Sequence, residues 1–202
     1  SNSGAGHIGA ALSLIEILNT IYKNVDLSKI RNSDLARDRI ILSKGHATSG
    51  LYAVMYHHGL LEKSLIDTYF KNNSILAGHT SHHVPFVEHS TGGLGHGLSV
   101  GVGMAIGMRS KKIDSKVFVI LGDGEMQEGS NWEAIMLAGH LQLKNLIILI
   151  DINELGKVGK LEDCCSIEPL GKKLESFNFD IQDIDGHDEK KIDRAIKNSL
   201  IS

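Results

Sequence analysis

The chain is short of cysteine, of proline and of long apolar runs, and each shortage excludes a class of protein. Its only cysteines, Cys164 and Cys165, are adjacent, and neighbouring cysteines rarely form a structural disulfide, so we expect a reducing, cytoplasmic setting. Two prolines are too few for a disordered proline-rich linker. The longest apolar run, 146–150, has the length of a strand, and no signal peptide is visible, so we expect no membrane association.

A basic excess is also missing, which argues against nucleic acid as a partner. The formal net charge is -3, whereas a nucleic-acid-binding face needs clustered positive charge. In contrast, 22 glycines and 11 histidines are plentiful, and glycine suits the tight turns of a compact α/β domain. With 202 residues, 42% of them hydrophobic, the composition predicts a single domain over 1–202.

The order of predicted elements indicates an α/β fold, an open parallel sheet with helices on both faces. The runs VFVIL at 117–121 and LIILI at 146–150 are continuously apolar, as strands buried on both faces are. Further strands are predicted at 38–42 and 177–185, and polar loops at 72–96 and 154–171. Apolar spacing predicts the helices, at 9–23, 48–59, 62–70, 97–110, 128–141 and 188–200.

Two polar residues follow neighbouring strands of this predicted sheet. Asp123 lies in a Gly-Asp-Gly turn after the strand at 117–121, and Asn153 ends the strand after the next helix. A right-handed crossover brings such strand ends together, where ligands bind in parallel sheets. Carboxylate and amide oxygens suit Mg²⁺ or Ca²⁺, with ligand phosphates completing the shell. We therefore favour a metal site over the alternative of a plain turn and a helix cap.

Four ordered blocks of the chain resemble the transketolase family of thiamine diphosphate enzymes. The segment GDGEMQEGSNWEAIMLAGHLQLKNLIILIDIN is similar to the transketolase version of the thiamine diphosphate motif. The other blocks are GHIGAALSLIEIL, LSKGHATSGLYAVMYHHG and HSTGGLGHGLSVGVGMAIG. Together they extend over almost the whole chain, which makes the resemblance specific.

The resemblance implies a role for each matching residue. Asp123, Asn153 and the Leu155 carbonyl would ligate Mg²⁺ or Ca²⁺, and His7 and His79 would face the sugar and act in catalysis. The remaining implied positions are the cofactor-binding residues His46, Gly92, Leu94, Gly122, Gly124 and Glu125, and the interface residues Glu128 and Glu133.

The chain also departs from the family pattern beside the substrate. Ile8 and Thr80 replace prolines that usually follow the two substrate histidines, and His96 replaces a common glutamine. The segment from Thr80 to Glu88 is unfamiliar as well. The donor and acceptor sugars are therefore open, although the cofactor is not.

The resemblance further implies a partner. A full transketolase carries a second domain whose glutamate activates the aminopyrimidine, and this pyrimidine-type domain is not found within residues 1–202. We therefore expect a separate C-terminal transketolase-like subunit, an α2β2 assembly and activity only in that complex. The expected reaction is transfer of a two-carbon ketol unit from a ketose to an aldose.

Three alternatives remain open from the residues. A split 2-oxo acid decarboxylating or dehydrogenase component would share Asp123 and Asn153 but should lack the Gly-His-rich blocks. A zinc hydrolase could use His79, His82 and His83 of the run GHTSHH. A non-catalytic scaffold could keep the fold alone, although intact Asp123, Asn153 and His46 speak against it.

Overall fold

A parallel sheet organises the structure, a computed structural model that describes residues 7–153, 155–156, 159–160 and 165–201. Side chains at 155, 156, 159, 160 and 201 are outside this description. In the described part of the chain, the sheet has three strands in the order β1-β2-β3. Their bounds are Arg39–Leu42 for β1, Val117–Gly122 for β2 and Leu146–Asp151 for β3, and both pairings are parallel.

Both faces of the sheet are covered by helices. On the central strand β2, Phe118 and Ile120 pack into one core cluster, and Val117, Val119 and Leu121 pack into the other. Side chains alternate between the two faces of a strand, so a fully apolar β2 needs a core on each side. The predicted open parallel sheet with helices on both faces is confirmed.

Each predicted helix has a counterpart in the structure, with differences at its ends, whereas the helices at 27–31 and 170–175 were not predicted. The bounds are α1 Ile8–Leu12, α2 Ile15–Asn24, α3 Leu27–Arg31, α4 Thr48–His57, α5 Lys63–Ile66, α6 Gly97–Ser110, α7 Gly129–Leu141, α8 Leu170–Glu175 and α9 Glu189–Ile201. The helix predicted at 9–23 is interrupted, because Leu14 leaves the helical conformation. The helix predicted at 62–70 shortens to the single turn of α5.

The strand predicted at 177–185 is wrong, since this described segment pairs with no strand. Its alternating residues Phe177, Phe179 and Ile181 do pack against the core beside α6 and α7. The alternation therefore reports partial burial of one side of a segment that pairs with no strand. A short antiparallel hairpin, β4 (Leu155–Gly156) with β5 (Gly159–Lys160), lies inside the predicted loop at 154–171.

No helix in residues 7–153 or 165–201 has the length and hydropathy to cross a membrane. Cys165 is a free, exposed cysteine, whereas Cys164 lies outside the described residues.

Candidate functional site

The carboxyl ends of the three strands form the candidate site, and we call residues 43–46, 122–125 and 151–153 the cofactor edge. Gly122 and Asp151 are register partners on β2 and β3, so the residues that follow them leave the sheet side by side. The amide N–H of Asn153 donates to Asp123 Oδ2 at 2.9 Å. The amide N–H of Asp123 donates to the Asp151 carbonyl at 3.1 Å. The structure thus brings the predicted metal ligands Asp123 and Asn153 together.

The chemistry of these residues fits a hard divalent cation. Asp123 is only 3% exposed, and its Oδ1 accepts the Gly124 N–H at 2.7 Å. A fixed carboxylate beside an amide side chain suits Mg²⁺ or Ca²⁺ when ligand oxygens complete the shell. A side-chain Cβ placed on Gly124 would meet nothing within 4 Å, so the backbone of the turn is open to a ligand. Leu155 begins β4 two residues beyond Asn153, and its carbonyl remains a predicted ligand.

The predicted catalytic and diphosphate histidines lie next to each other. His7 precedes α1, and His46 lies in the 3₁₀ turn Gly45–Ala47 that follows β1. Their ring centroids are 5.2 Å apart, with an edge-to-face angle of 71°. His7 is exposed and His46 is half-buried, so both rings are near solvent at the cofactor edge.

The second predicted catalytic residue, His79, begins the segment 79–91, which we call the histidine loop. It lies beside Gly92, because a Cβ on that glycine would come within 3.6 Å of His79 Cδ2. The loop reaches His46 through Gly45, where a Cβ would lie 2.6 Å from the Thr91 hydroxyl oxygen. Only glycine allows this approach. The Thr91 hydroxyl donates to the Leu42 carbonyl at 2.7 Å, which fixes the end of the loop on β1.

Glu125 has a position that the sequence did not predict. Its side chain is 2% exposed and accepts hydrogen bonds from the Ser43 hydroxyl and from the Gly95 N–H at 2.9 Å. Burial raises the pKa of this carboxyl, although the bonds from Ser43 and Gly95 act in the opposite direction. The carboxyl therefore ties the residue after β1 and the segment that contains Leu94 and Gly95 to the Gly-Asp-Gly turn, and its predicted contact with the cofactor stays a prediction.

Leu94 precedes a glycine that lies against Glu128, one of the two predicted interface glutamates. Leu94 is half-buried and precedes Gly95, whose φ of +82° is a left-handed conformation that favours glycine. A Cβ at Gly95 would also lie 2.6 Å from Glu128 Cβ. Glu128 and Glu133 are both exposed at the start of α7. Of the two, Glu128 lies beside the loop that carries Leu94.

Sequence reasoning missed an ion pair at the cofactor edge. Lys44 Nζ lies 2.6 Å from Asp151 Oδ2, and the two residues are 2% and 7% exposed. The sequence did contain a signal for this pair, because Lys44 and Asp151 are charged residues at the ends of two apolar strands. Such residues are almost never fully buried unless they are paired.

The zinc alternative has no geometric support. Within residues 7–153 and 165–201, no group of three or more His, Cys, Asp or Glu side chains could hold a metal ion, and these ranges contain His79, His82 and His83. The rings of His82 and His83 instead contact each other, with centroids 4.2 Å apart.

Comparison with known proteins decides the family. The model of the transketolase thiamine diphosphate binding domain matches residues 1–202. The chain belongs to this family. The transketolase resemblance predicted from the motifs is thereby confirmed, and thiamine diphosphate is the cofactor of the family.

The relatives of this transketolase-family chain include two bacterial subunits. One subunit of the apulose-4-phosphate transketolase of Phocaeicola vulgatus is 38% identical over 96% of this chain and 69% of the relative. The 6-deoxy-6-sulfo-D-fructose transketolase subunit SqwG of Clostridium sp. is 35% identical over 96% of this chain and 71% of the relative. Both names describe transketolase subunits. They favour a transketolase-like, thiamine diphosphate-dependent enzyme component over the 2-oxo acid alternative and the non-catalytic scaffold.

A solved transketolase shares the fold. The Campylobacter jejuni enzyme superposes with a TM-score of 0.78 at 27% identity, covering 95% of this chain. The chain spans 35% of the length of that transketolase, so only part of the solved enzyme has a counterpart here.

Proposed function

We propose that this chain anchors thiamine diphosphate through a divalent metal and serves the transfer of a two-carbon ketol unit from a ketose to an aldose. The observation that carries the proposal is the convergence at one sheet edge of the hydrogen-bonded Asp123 and Asn153 with the His7–His46 pair. Hard oxygen ligands and paired histidines serve different parts of such a reaction, and here they are held by neighbouring elements.

Asp123, Asn153 and the Leu155 carbonyl would hold Mg²⁺ or Ca²⁺ at the cofactor edge. The open backbone at Gly124 supports this, since backbone N–H groups at a glycine turn can receive a diphosphate. The side chain of His46 would donate to the same diphosphate. In this arrangement the chain binds and orients the cofactor but does not itself alter its electronic state.

The two rings of the cofactor, the aminopyrimidine and the thiazolium, would contact the loop around Gly92. The Gly92 backbone would contact the aminopyrimidine, and the half-buried Leu94 would pack on the thiazolium. Glu125 contributes indirectly, because its bond to Gly95 fixes the chain next to Leu94. When bound, thiamine diphosphate supplies the carbon nucleophile and the electron sink for breaking a ketose carbon–carbon bond.

His7 and His79 would act on the sugar. Both side chains are exposed, each at the border of the cofactor edge: His7 beside His46, and His79 beside Gly92. A neutral imidazole can donate to a sugar hydroxyl or accept its proton near neutral pH. We therefore assign them to holding sugar hydroxyls and moving protons during cleavage and transfer.

A separate C-terminal transketolase-like subunit would complete the site in an α2β2 assembly. The names of the relatives describe subunits, and the chain exposes apolar side chains beside the cofactor edge. Leu12 and Ile152 are 62% and 52% exposed, and their chain neighbours Ser13 and Asp151 are hydrogen bonded. Exposed apolar residues at a site rim favour coverage by another protein surface. Glu128 and Glu133 would lie at an interface between cofactor sites.

The relatives also narrow the choice of substrate class. Their names specify apulose-4-phosphate and 6-deoxy-6-sulfo-D-fructose, sugars that each carry an anionic group. We propose a ketose of the same anionic class as the donor for this chain, and a cytoplasmic setting in which such sugars and a free Cys165 thiol persist.

Calorimetry tests the proposed function. Thiamine diphosphate is titrated into the chain in Mg²⁺, with and without the candidate partner encoded by the adjacent gene. We expect metal-dependent binding that tightens in the complex, and transfer of a two-carbon unit only when both chains are present. Absence of any binding heat in the complex would refute the cofactor assignment, and turnover by this chain alone would refute the partner.

A further inference from the structure

The Lys44–Asp151 ion pair is buried at the cofactor edge and has no part in the roles assigned above. Lys44 Nζ and Asp151 Oδ2 are 2.6 Å apart, and the two residues are 2% and 7% exposed. Removing two charges from water is costly, and replacing a buried pair by neutral groups is often neutral for stability. A buried pair is therefore weak evidence for a purely stabilising role.

The path of the lysine side chain is informative. Lys44 follows β1, and Asp151 ends β3, so the pair connects the two outer strands of the described sheet. The lysine crosses the end of β2 between them. A Cβ on Gly122 would lie 3.5 Å from Lys44 Cδ and 3.8 Å from Cε, which is ordinary van der Waals contact. The side chain thus bridges the carboxyl edge of all three strands.

A third residue joins helix α1 to the same carboxylate. The Ser13 hydroxyl lies 2.6 Å from Asp151 Oδ2 and 3.1 Å from the Ala10 carbonyl, so the shorter bond is the one to the carboxylate. Hydrogen bonds to ionised groups are the stronger kind. Asp151 Oδ2 therefore receives donors from the segment after β1 and from the end of α1.

Each anchor lies close in sequence to a residue assigned to the cofactor or the metal. Lys44 is two residues before His46, Asp151 is two residues before Asn153, and the crossed Gly122 directly precedes Asp123. Two residues of chain span at most about 7 Å, so a fixed anchor limits how far the functional residue can move. The pair therefore connects three strand ends, each of which leads to one of these residues.

We propose that Lys44 and Asp151 are positioning residues that hold His46, Asp123 and Asn153 in the geometry that binds metal-bound diphosphate. The inference rests on the proposed function for its ligand, and on the contacts above for its mechanism. Charged partners around a metal site orient the ligands that touch the ion, and their loss typically weakens binding by about 10- to 100-fold.

Two variants separate positioning from simple stability. Lys44→Met leaves Asp151 charged and buried without its cation, so the melting temperature should fall by about 10 °C. Combining it with Asp151→Asn removes the unpaired charge while keeping an acceptor for Ser13. The double variant should melt within about 4 °C of the unchanged chain.

The positioning role is tested with the double variant. Each measurement is made on the variant chain alone and on its complex with the partner subunit. Calorimetry with thiamine diphosphate in Mg²⁺ should show affinity reduced by about tenfold or more. Hydrogen exchange without ligand should accelerate at 43–47 and 151–153 but not at 117–121. The matched control changes the exposed Lys63–Asp67 pair, 2.7 Å apart, to Met and Asn, and should alter neither measurement.

The outcomes distinguish this inference from the proposed function. Unchanged exchange at both segments, or faster exchange with full cofactor affinity, would overturn the positioning role. If exchange is faster in the double variant but the wild-type chain binds no thiamine diphosphate, the proposed function is overturned. The conclusion that the ion pair holds the two segments in place would then still stand. Faster exchange with weakened binding supports both.

Discussion

The cofactor edge and the histidine loop lie next to each other but are built differently. At the cofactor edge, side chains that are almost fully buried bond across strands, as Lys44 does with Asp151 and Ser43 with Glu125. In the histidine loop, His79, His82 and His83 are all exposed. The edge thus holds the proposed cofactor-binding groups through buried bonds, whereas the three histidines of the loop are exposed to solvent.

The loop is nevertheless attached at its far end. Glu88 accepts from Arg37 Nε at 2.8 Å and from Arg37 Nη2 at 3.0 Å, and it lies 3.4 Å from Arg39 Nε. Because Arg39 begins β1, this carboxylate ties the unfamiliar segment from Thr80 to Glu88 to the same strand that leads to His46. The cofactor edge and the histidine loop thus differ in how many buried hydrogen bonds and ion pairs hold each of them.

The largest expected effect comes from Asp123→Ala at the cofactor edge. Loss of the carboxylate removes the proposed metal ligand and the acceptor of the Asn153 N–H, so metal-dependent thiamine diphosphate affinity should fall by about 100-fold or more. Isothermal titration in Mg²⁺ measures the change. The control is Asp67→Ala on the exposed surface, which should bind normally. Unchanged binding by Asp123→Ala would place the metal elsewhere.

A second effect at the cofactor edge concerns stability. Ser43→Ala deprives the buried Glu125 carboxyl of one donor, which should lower the free energy of unfolding by about 1 to 3 kcal/mol. Urea denaturation measures it, with Ser199→Ala, at a hydroxyl bonded within α9, as the control. The control should change stability by less than about 0.5 kcal/mol. If Ser43→Ala and Ser199→Ala lower the free energy of unfolding equally, the buried bonds of the cofactor edge have no special importance for stability.

An intermediate effect is expected where the loop is attached. Glu88→Gln weakens the bidentate contact with Arg37 and reduces the charge beside Arg39, so the loop should loosen. We expect KM for the sugar to rise by about threefold to tenfold, with thiamine diphosphate affinity unchanged. Steady-state kinetics of the assembled enzyme measures the first and calorimetry the second. Weakened cofactor binding would show that loop and edge are one unit.

The smallest effect is expected at the exposed part of the loop. His82 Nδ1 and the Ser90 hydroxyl are 2.6 Å apart near solvent, so His82→Ala should change unfolding free energy by less than about 0.5 kcal/mol. Cofactor affinity should stay the same. The relative KM values for a panel of anionic sugars should change. Denaturation and a substrate panel test both statements. A large loss of stability would mean that the exposed part of the histidine loop contributes to the stability of the fold.

Much of the cofactor edge could be predicted from the sequence, because apolar strands and glycine turns are local signals. Asp123 and Asn153 follow two consecutive strands, so a single crossover is enough to bring them together. The family resemblance gave roles at one site to His7, His46, His79 and Gly92, and the structure places His7 beside His46 and His79 beside Gly92. The catalytic and binding roles themselves remain predictions.

The rest depends on contacts that local patterns do not specify. The Lys44–Asp151 pair requires β1 to lie beside β2, although these strands are far apart in the chain. The resemblance implied a cofactor contact for Glu125, which stays a prediction, but nothing local showed that Ser43 and Gly95 would donate to its carboxyl. At 177–185, alternation indicated burial of one side, but an unpaired segment can bury one side as well as a strand can.

The ion pair at the cofactor edge has a consequence for how the protein folds. Lys44 and Asp151 are separated by 107 positions in the chain, so the pair closes a very long loop. Contacts of such separation are entropically costly and form late, after helices and local turns. A chain emerging from the ribosome cannot complete this site until the third strand has docked. Capture of metal-bound cofactor would then draw the folding equilibrium toward the finished sheet.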